Sequence, residues 1–350
     1  MGRSPWRNKA ALAVAAAAMA VAVAVAVAGA VLWWPRGSRA GGGPPGLTAD
    51  ERRSLATLRV IDAGHPLLAM TLYGRYDALR PVTLAPPSER PLACSLFVAS
   101  RGPRGPLFGR NFDWLRSPAI LVTARPPDGP ASIALADIGY LGISREEALR
   151  APTDAAVQRR LLRAVVLPFD GVNEHGLAVG LAQVPEARPP REAGRPLVGS
   201  ARIQRLVLDE ARTVDEAIAV FGRYDVEFES DEPPLHYLLA DASGRSAAVE
   251  YVDGRIRIDR GAGAWHGMVN FVLAETEEAG RRADRRYRAI SGRLRGTGGS
   301  LGPDDAMSLL QAVAQPHTRW SAVYELRQGT VHLTLNRDYG TRRTFSLKPD

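Results

Sequence analysis

Residues 93–114 read ACSLFVASRGPRGPLFGRNFDW and hold Cys94, the single cysteine of a 350-residue chain. Two short apolar runs, CSLFVAS at 94–100 and PLFGRNF at 106–112, flank the turn-forming RGPRG at 101–105, and the three together predict a β-hairpin. A cysteine opens the first strand, and Arg110 and Asp113 return on the second. A cation beside a thiol lowers its pKa, and a carboxylate can hold an ammonium. Residue type alone favours plainer roles: unpaired cysteines usually pack as small hydrophobes, and most Arg–Asp pairs are ordinary salt bridges.

Working outward, further strand and helix signals flank the hairpin. HYLLADASGRSAAVEYVDGRIRI at 236–258 gives three strands broken at Asp241–Gly244 and Asp253–Gly254, and SAVYELRQGTVHLTLN at 321–336 gives another pair. Between them ARIQRLVLDEARTVDEAIAVFGRY repeats Ile203, Leu206, Val207, Ala211, Val214, Ala217, Ile218 and Phe221 at helical spacing, with a capping-box pattern at Thr213 and Glu216 that divides two helices. A second such pattern, Thr48 with Glu51, starts a helix at the head of the body. Strands at both ends with helices between them predict a layered α+β fold rather than an alternating parallel sheet.

The first 46 residues are of a different kind. After a basic stretch over 1–9, residues 10–34 carry no charge and would span about 37 Å as a helix, enough to cross a hydrocarbon core of about 30 Å. Trp33 and Trp34 end the run as interfacial aromatics do, so an uncleaved signal anchor is the reading, with cleavage after Ala26-Val27-Ala28 as the alternative. Residues 35–46, ending GSRAGGGPPG, form a flexible linker. The body is therefore expected outside the cytoplasm, anchored to the membrane through its N-terminal helix or secreted. There a lone cysteine is a free thiol, an intermolecular link or a nucleophile.

Other classes are disfavoured. The net charge is +8, but Lys9 and Lys348 are the only lysines and acidic residues interrupt the arginines throughout, so no nucleic-acid partner is expected. The six histidines, at 65, 175, 236, 266, 317 and 332, form no HExxH or short-spaced pair, so neither a metal nor another cofactor is expected. A papain-like cysteine would open a helix, whereas Cys94 opens a strand.

The Cys94 segment, with GRNFD at 109–113, resembles the nucleophile region of the linear amide C–N hydrolases, a branch of the N-terminal nucleophile hydrolases that includes choloylglycine hydrolase, penicillin V acylase and acid ceramidase. GVNEHGLAVG at 171–180 resembles that family's NExGL segment, placing Asn173, and MVNF at 268–271 places Asn270. ADRRYRAI at 283–290 resembles its arginine segment, where Arg285 is the choice among neighbouring arginines. HPLLAMTLYGRYDAL at 65–79 is similar to the propeptide of acid-ceramidase-like members, so 47–93 is propeptide-like and 94–350 the catalytic domain.

The resemblance implies a four-layer αββα sandwich, a cut between Ala93 and Cys94, and a cysteine that thereby becomes an N-terminal nucleophile. A free α-amino group, with a pKa of about 7.7–8.0, can take the proton of its own thiol. The resemblance assigns Asp113 to the new ammonium, Arg110 to the thiolate, and Asn270 with a group at Asn173 to the oxyanion. The implied partner is a small-molecule N-acyl amide. Transfer of the acyl group to another amine, or a tethered binding module that never cleaves, are the alternatives. Phe112, Trp114 and Phe169 are candidates for an acyl pocket.

Overall fold

The computed structural model describes residues 46–85, 93–115, 117–228 and 234–348. The expected membrane segment at 10–34 lies outside them, as do residues 1–9 and the linker to residue 45. Among the described residues no helix is long and apolar enough to cross a membrane.

Helix α1 (Ala49–Leu55) starts from the expected capping box, Thr48 Oγ1 and the Glu51 carboxylate each accepting the other residue's backbone N–H. Strands β1 (Arg59–Asp62) and β2 (Leu67–Tyr73) follow, then the hairpin β3 (Ala93–Ala99) and β4 (Leu107–Asp113), and β5 (Ala119–Arg125) with β6 (Ser132–Asp137). Helices α2 (Arg145–Arg150) and α3 (Ala155–Leu161) lead into β7 (Asp170–Asn173) and β8 (Ala178–Gln183). Next come β9 (Leu197–Gly199), α4 (Arg202–Glu210), α5 (Val214–Arg223) and β10 (Asp225–Glu227). The meander β11 (Leu235–Ala240), β12 (Ser246–Val252) and β13 (Arg255–Arg260) precedes β14 (Trp265–Met268), α6 (Glu278–Arg281), α7 (Arg285–Gly296) and α8 (Pro303–Val313). Strands β15 (Thr318–Glu325), β16 (Thr330–Leu335) and β17 (Arg343–Ser346) complete the body.

Among the described residues the strands form a nine-stranded sheet, β1-β2-β5-β6-β7-β8-β11-β12-β13, a six-stranded sheet, β14-β3-β4-β15-β16-β17, and the small pair β9–β10. The alternation of side chains along each strand separates two faces. In the six-stranded sheet Leu96, Phe108 and Arg110 point at Gly180 of the other sheet, whereas Asn111 donates to Leu310 O of α8 at 2.8 Å. In the nine-stranded sheet Asp170 reaches Trp320 and Tyr324 of β15, whereas Asn173 donates to Leu208 O of α4. The layers therefore run α4 and α5, nine-stranded sheet, six-stranded sheet, α7 and α8, a mixed α+β architecture with the core between the sheets.

Two glycines let the layers close. A Cβ at Gly109, the first residue of GRNFD, would lie 2.4 Å from the Phe97 ring directly across the hairpin, and one at Gly180 would lie 2.9 Å from Leu96. The segment before Cys94 is woven into the same body. Strand β2 pairs in parallel with β5 and buries Leu67 and Leu68 completely. The helix break at Thr213 is real, with Thr213 Oγ1 accepting Glu216 N–H, but the Glu216 carboxylate turns to Arg212 N at 2.7 Å instead of closing the box.

Candidate active site

The hairpin sets the site's geometry. Cys94 is the second residue of β3, sits opposite Phe112 and is 4% exposed. Period two puts it on the same face as Leu96, looking between the sheets, where Arg110 also points. Arg110 is fully buried: Nη1 donates to Phe169 O at 2.8 Å and Leu181 O at 2.7 Å, and Nη2 lies 3.9 Å from Cys94 Sγ. Its counterion is Asp170, 2.9 Å from Nε, which also accepts Trp320 Nε1–H at 3.0 Å and the Tyr324 hydroxyl. Three anchors, Phe169 O, Leu181 O and Asp170, thus hold the guanidinium beside the thiol. Burial nevertheless keeps the Cys94 thiol above its ordinary pKa, with Arg110 pulling the other way.

Asp113 stands opposite Ala93, at the strand position preceding the cysteine. One carboxylate oxygen accepts from the Thr318 hydroxyl, while Oδ2 is buried with no partner. Burial pushes its pKa up to about 7 against the pull of Thr318, Arg286 and Arg110. A buried carboxylate oxygen without a donor is uncommon and calls for an explanation.

Asn270 follows β14. Its Oδ1 accepts Cys94 N–H at 2.7 Å and Arg286 Nη1–H at 2.9 Å, and its Nδ2 donates to Gln183 O at 2.6 Å. Arg286 itself donates to Cys94 O at 2.8 Å and is held by Asp284, the cap of α7, at 3.0 Å. Cys94, Arg110, Asp113 and Asn270 are therefore brought together.

Two of the expected residues lie elsewhere. Arg285 is exposed and reaches only Gln315 Oε1, at 3.4 Å; its neighbour Arg286 enters the site. The cause is helical phase: α7 buries Arg286, Tyr287, Ile290, Ser291 and Leu294, and the apolar spacing of Tyr287, Ile290 and Leu294 already marked that face. The Asn173 side chain is engaged away from Cys94 and Asn270. Its Nδ2 donates to Leu208 O and Ala211 O, and its Oδ1 accepts His175 N–H and Leu177 N–H. It organises the tight turn in which Gly176 has φ +80° and a Cβ would lie 2.3 Å from Leu326 O.

Residues not anticipated are Arg286, Asp170, Thr318 and Gln183, whose carbonyl holds Asn270 and whose Oε1 is buried without a partner. Phe112 stacks on Trp320 at 4.1 Å between ring centroids and meets Phe169 edge-on at 5.3 Å, so the expected pocket aromatics form a packed wall beside Cys94. Among the described residues no group of His, Cys, Asp and Glu side chains is arranged to hold a metal ion.

Residues 168–339 match the family model described as acyl-coenzyme A:6-aminopenicillanic acid acyl-transferase. A penicillin V acylase from Pectobacterium atrosepticum is 30% identical over 190 residues, 51% of this chain and 49% of that protein, so the chain spans about half the length of this relative. Two mutant structures of the conjugated bile acid hydrolase from Clostridium perfringens, each 12% identical, share the fold with a TM-score of 0.51; the matches cover 72% and 73% of this chain and 92% of those chains. With its cysteine, arginine and aspartate assembled on one hairpin, the chain is similar in sequence to penicillin V acylase and to the acyl-transferase family model over about half its length, and it shares the fold of the conjugated bile acid hydrolase.

Proposed function

We propose that the protein is an amidase that hydrolyses a linear, non-peptide C–N bond of a small N-acyl substrate, with Cys94 as an N-terminal nucleophile made by self-cleavage after Ala93. The observation that carries this reading is the buried Asp113 oxygen with no donor, opposite Ala93, beside a thiol that Arg110 reaches and an amide nitrogen that Asn270 holds. A new ammonium at Cys94 gives that oxygen its partner.

In the precursor Cys94 Sγ attacks the Ala93 carbonyl. The C–N bond breaks, the proton passes to the leaving nitrogen, and water hydrolyses the thioester to leave Ala93 with a carboxylate and Cys94 with a free amine. In the mature protein that amine, neutral in part near its pKa of about 7.7–8.0, takes the thiol proton. The thiolate attacks the substrate carbonyl, the amine product leaves, and water releases the acyl group. Arg110 steadies the negative sulfur, Asp113 the ammonium, and Asn270 with Arg286 the backbone of Cys94. Asn270 also serves as an oxyanion donor, a role whose loss typically costs about 10²–10³ in rate.

The matched acyl-transferase family model favours a second reading, transfer of the acyl group from the same thioester to an amine. The apolar run at 10–34 supports placing the body outside the cytoplasm, tethered to the membrane. The test of the amidase reading is a panel of N-acyl amides, penicillin V included, offered with and without an acceptor amine. Release of free acid by the wild type and none by Cys94→Ala supports hydrolysis; product only with an acceptor favours transfer; no turnover of any member overturns the amidase reading.

A further inference from the structure

Asn270 is placed by something other than its own contacts. It lies in the segment that leaves β14, and this segment is gripped on both sides by a buried histidine–glutamate pair from the nine-stranded sheet. His236, on β11, has Nε2 2.8 Å from Val269 O, and its Nδ1 is 2.9 Å from Glu250 Oε1 on β12. Both side chains are 1% exposed. Glu250 in turn accepts Leu273 N–H at 2.7 Å and Ala274 N–H at 2.8 Å. The pair therefore fixes the residue before Asn270 and the residues three and four after it.

Val269 O can only accept, so His236 Nε2 donates to it, while Glu250 takes a backbone N–H on each oxygen and meets Nδ1 on Oε1. Burial alone would raise the Glu250 pKa, but His236 and the two N–H groups outweigh it and hold the group below the usual carboxylate range. The pair is fully buried, and its bonds reach beyond the two strands that carry it, since β11 and β12 already pair through Tyr237–Ala240.

We propose that His236 and Glu250 are positioning residues that lock the Asn270 segment, and through Asn270 Oδ1 the Cys94 amide nitrogen, in the geometry that reacts. This rests on the reading of Cys94 as a self-cleaving nucleophile. Neither residue touches the reacting atoms. They act at the distance of one short loop, where a displacement of about 1 Å costs on the order of a hundredfold in rate.

The test uses the full chain, made as His236→Gln, Glu250→Gln and the milder Glu250→Asp, with Glu325→Gln as the matched control. Glu325 is also a fully buried carboxylate paired with a histidine, His332 at 2.8 Å, but it belongs to the six-stranded sheet and holds no part of the Asn270 segment. Thermal unfolding first establishes that each variant is folded. The expected result is cleavage at Ala93–Cys94 slowed about tenfold to a hundredfold in His236→Gln and Glu250→Gln, less in Glu250→Asp, and by no more than about twofold in Glu325→Gln. In the cleaved enzymes, with penicillin V as probe, kcat falls in the same order while KM is unchanged, a split that general destabilisation does not produce. Wild-type rates in folded His236→Gln and Glu250→Gln overturn the proposal, and so does an equal loss in Glu325→Gln. If Glu250→Gln does not fold, Glu250→Asp decides by the same criteria. A wild type that never cleaves instead overturns the nucleophile reading itself.

Discussion

Replacing Arg286 tests the arginine assignment, because the next residue is the same amino acid in a different environment. Arg286 makes two charge-assisted bonds at the site, to Cys94 O at 2.8 Å and to Asn270 Oδ1 at 2.9 Å. Bonds to charged groups contribute about 1.5–3 kcal/mol each, so losing both removes at least about 3 kcal/mol, or about a hundredfold in rate if they persist in the transition state. Lysine carries one point charge in place of the fork and can serve one acceptor, so Arg286→Lys is expected to lose about tenfold. Arg285 is exposed and makes a single 3.4 Å contact, so Arg285→Ala should stay within about twofold of the wild type, as surface substitutions do. The assay is the time course of cleavage at Ala93–Cys94 in chains made by cell-free synthesis and weighed intact. Equal slowing in Arg285→Ala and Arg286→Ala, or wild-type cleavage in Arg286→Ala, would refute the reasoning.

Asn173→Ala should behave in the opposite way. It removes four hydrogen bonds, two of them to buried carbonyls, and is expected to lower stability by about 2–4 kcal/mol, yet cleavage in the folded fraction should change less than tenfold. A hundredfold loss of cleavage without loss of stability would restore it to the oxyanion group. In the uncleaved Cys94→Ala chain Asp113 keeps a pKa of about 7 against 3.8 unfolded, so its contribution is fully present below pH 3.8 and is lost as pH rises towards 7. Adding Asp113→Asn should flatten part of that fall in Tm; Asp137, raised to about 6 by burial, and Asp170, also raised by burial, keep the remainder. An unchanged slope would show that Asp113 is ionised in the precursor. After cleavage, the segment ending at Ala93 should co-elute with the rest in native buffer, because β2 is paired to β5 from Leu67–Ala119 to Tyr73–Arg125. Leu68→Ala, at a fully buried position, should weaken that association by about 2–5 kcal/mol, and free elution of the wild-type segment would contradict it.

The local pattern carried much of this. The RGPRG turn between two apolar runs gave the hairpin, and the hairpin's register alone brings Cys94, Arg110 and Asp113 together. The two helices around Thr213, the meander over 236–258 and the strand pair over 321–336 followed from turn residues and apolar spacing. What stayed illegible depends on contacts between distant segments. Asp170 sits 60 residues from Arg110 in another sheet, and no local signal ties the two. The pairing of β2 with β5 joins segments on either side of the hairpin, so residues 47–93 read as an appendage although they supply strands of the nine-stranded sheet. Asn173 was open to two readings because a turn asparagine and an oxyanion asparagine look alike until the four partners of its amide are known. Arg285 was chosen by adjacency, where the phase of α7, set by Tyr287, Ile290 and Leu294, selects Arg286.

The central claim is that Cys94 frees its own amine. The most direct measurement is intact mass with N-terminal sequencing of the full chain, wild type beside Cys94→Ala, after incubation near neutral pH. A new N-terminus at Cys94 is expected in the wild type alone. A folded wild-type chain that remains whole, or a Cys94→Ala chain cut at the same bond, would contradict it.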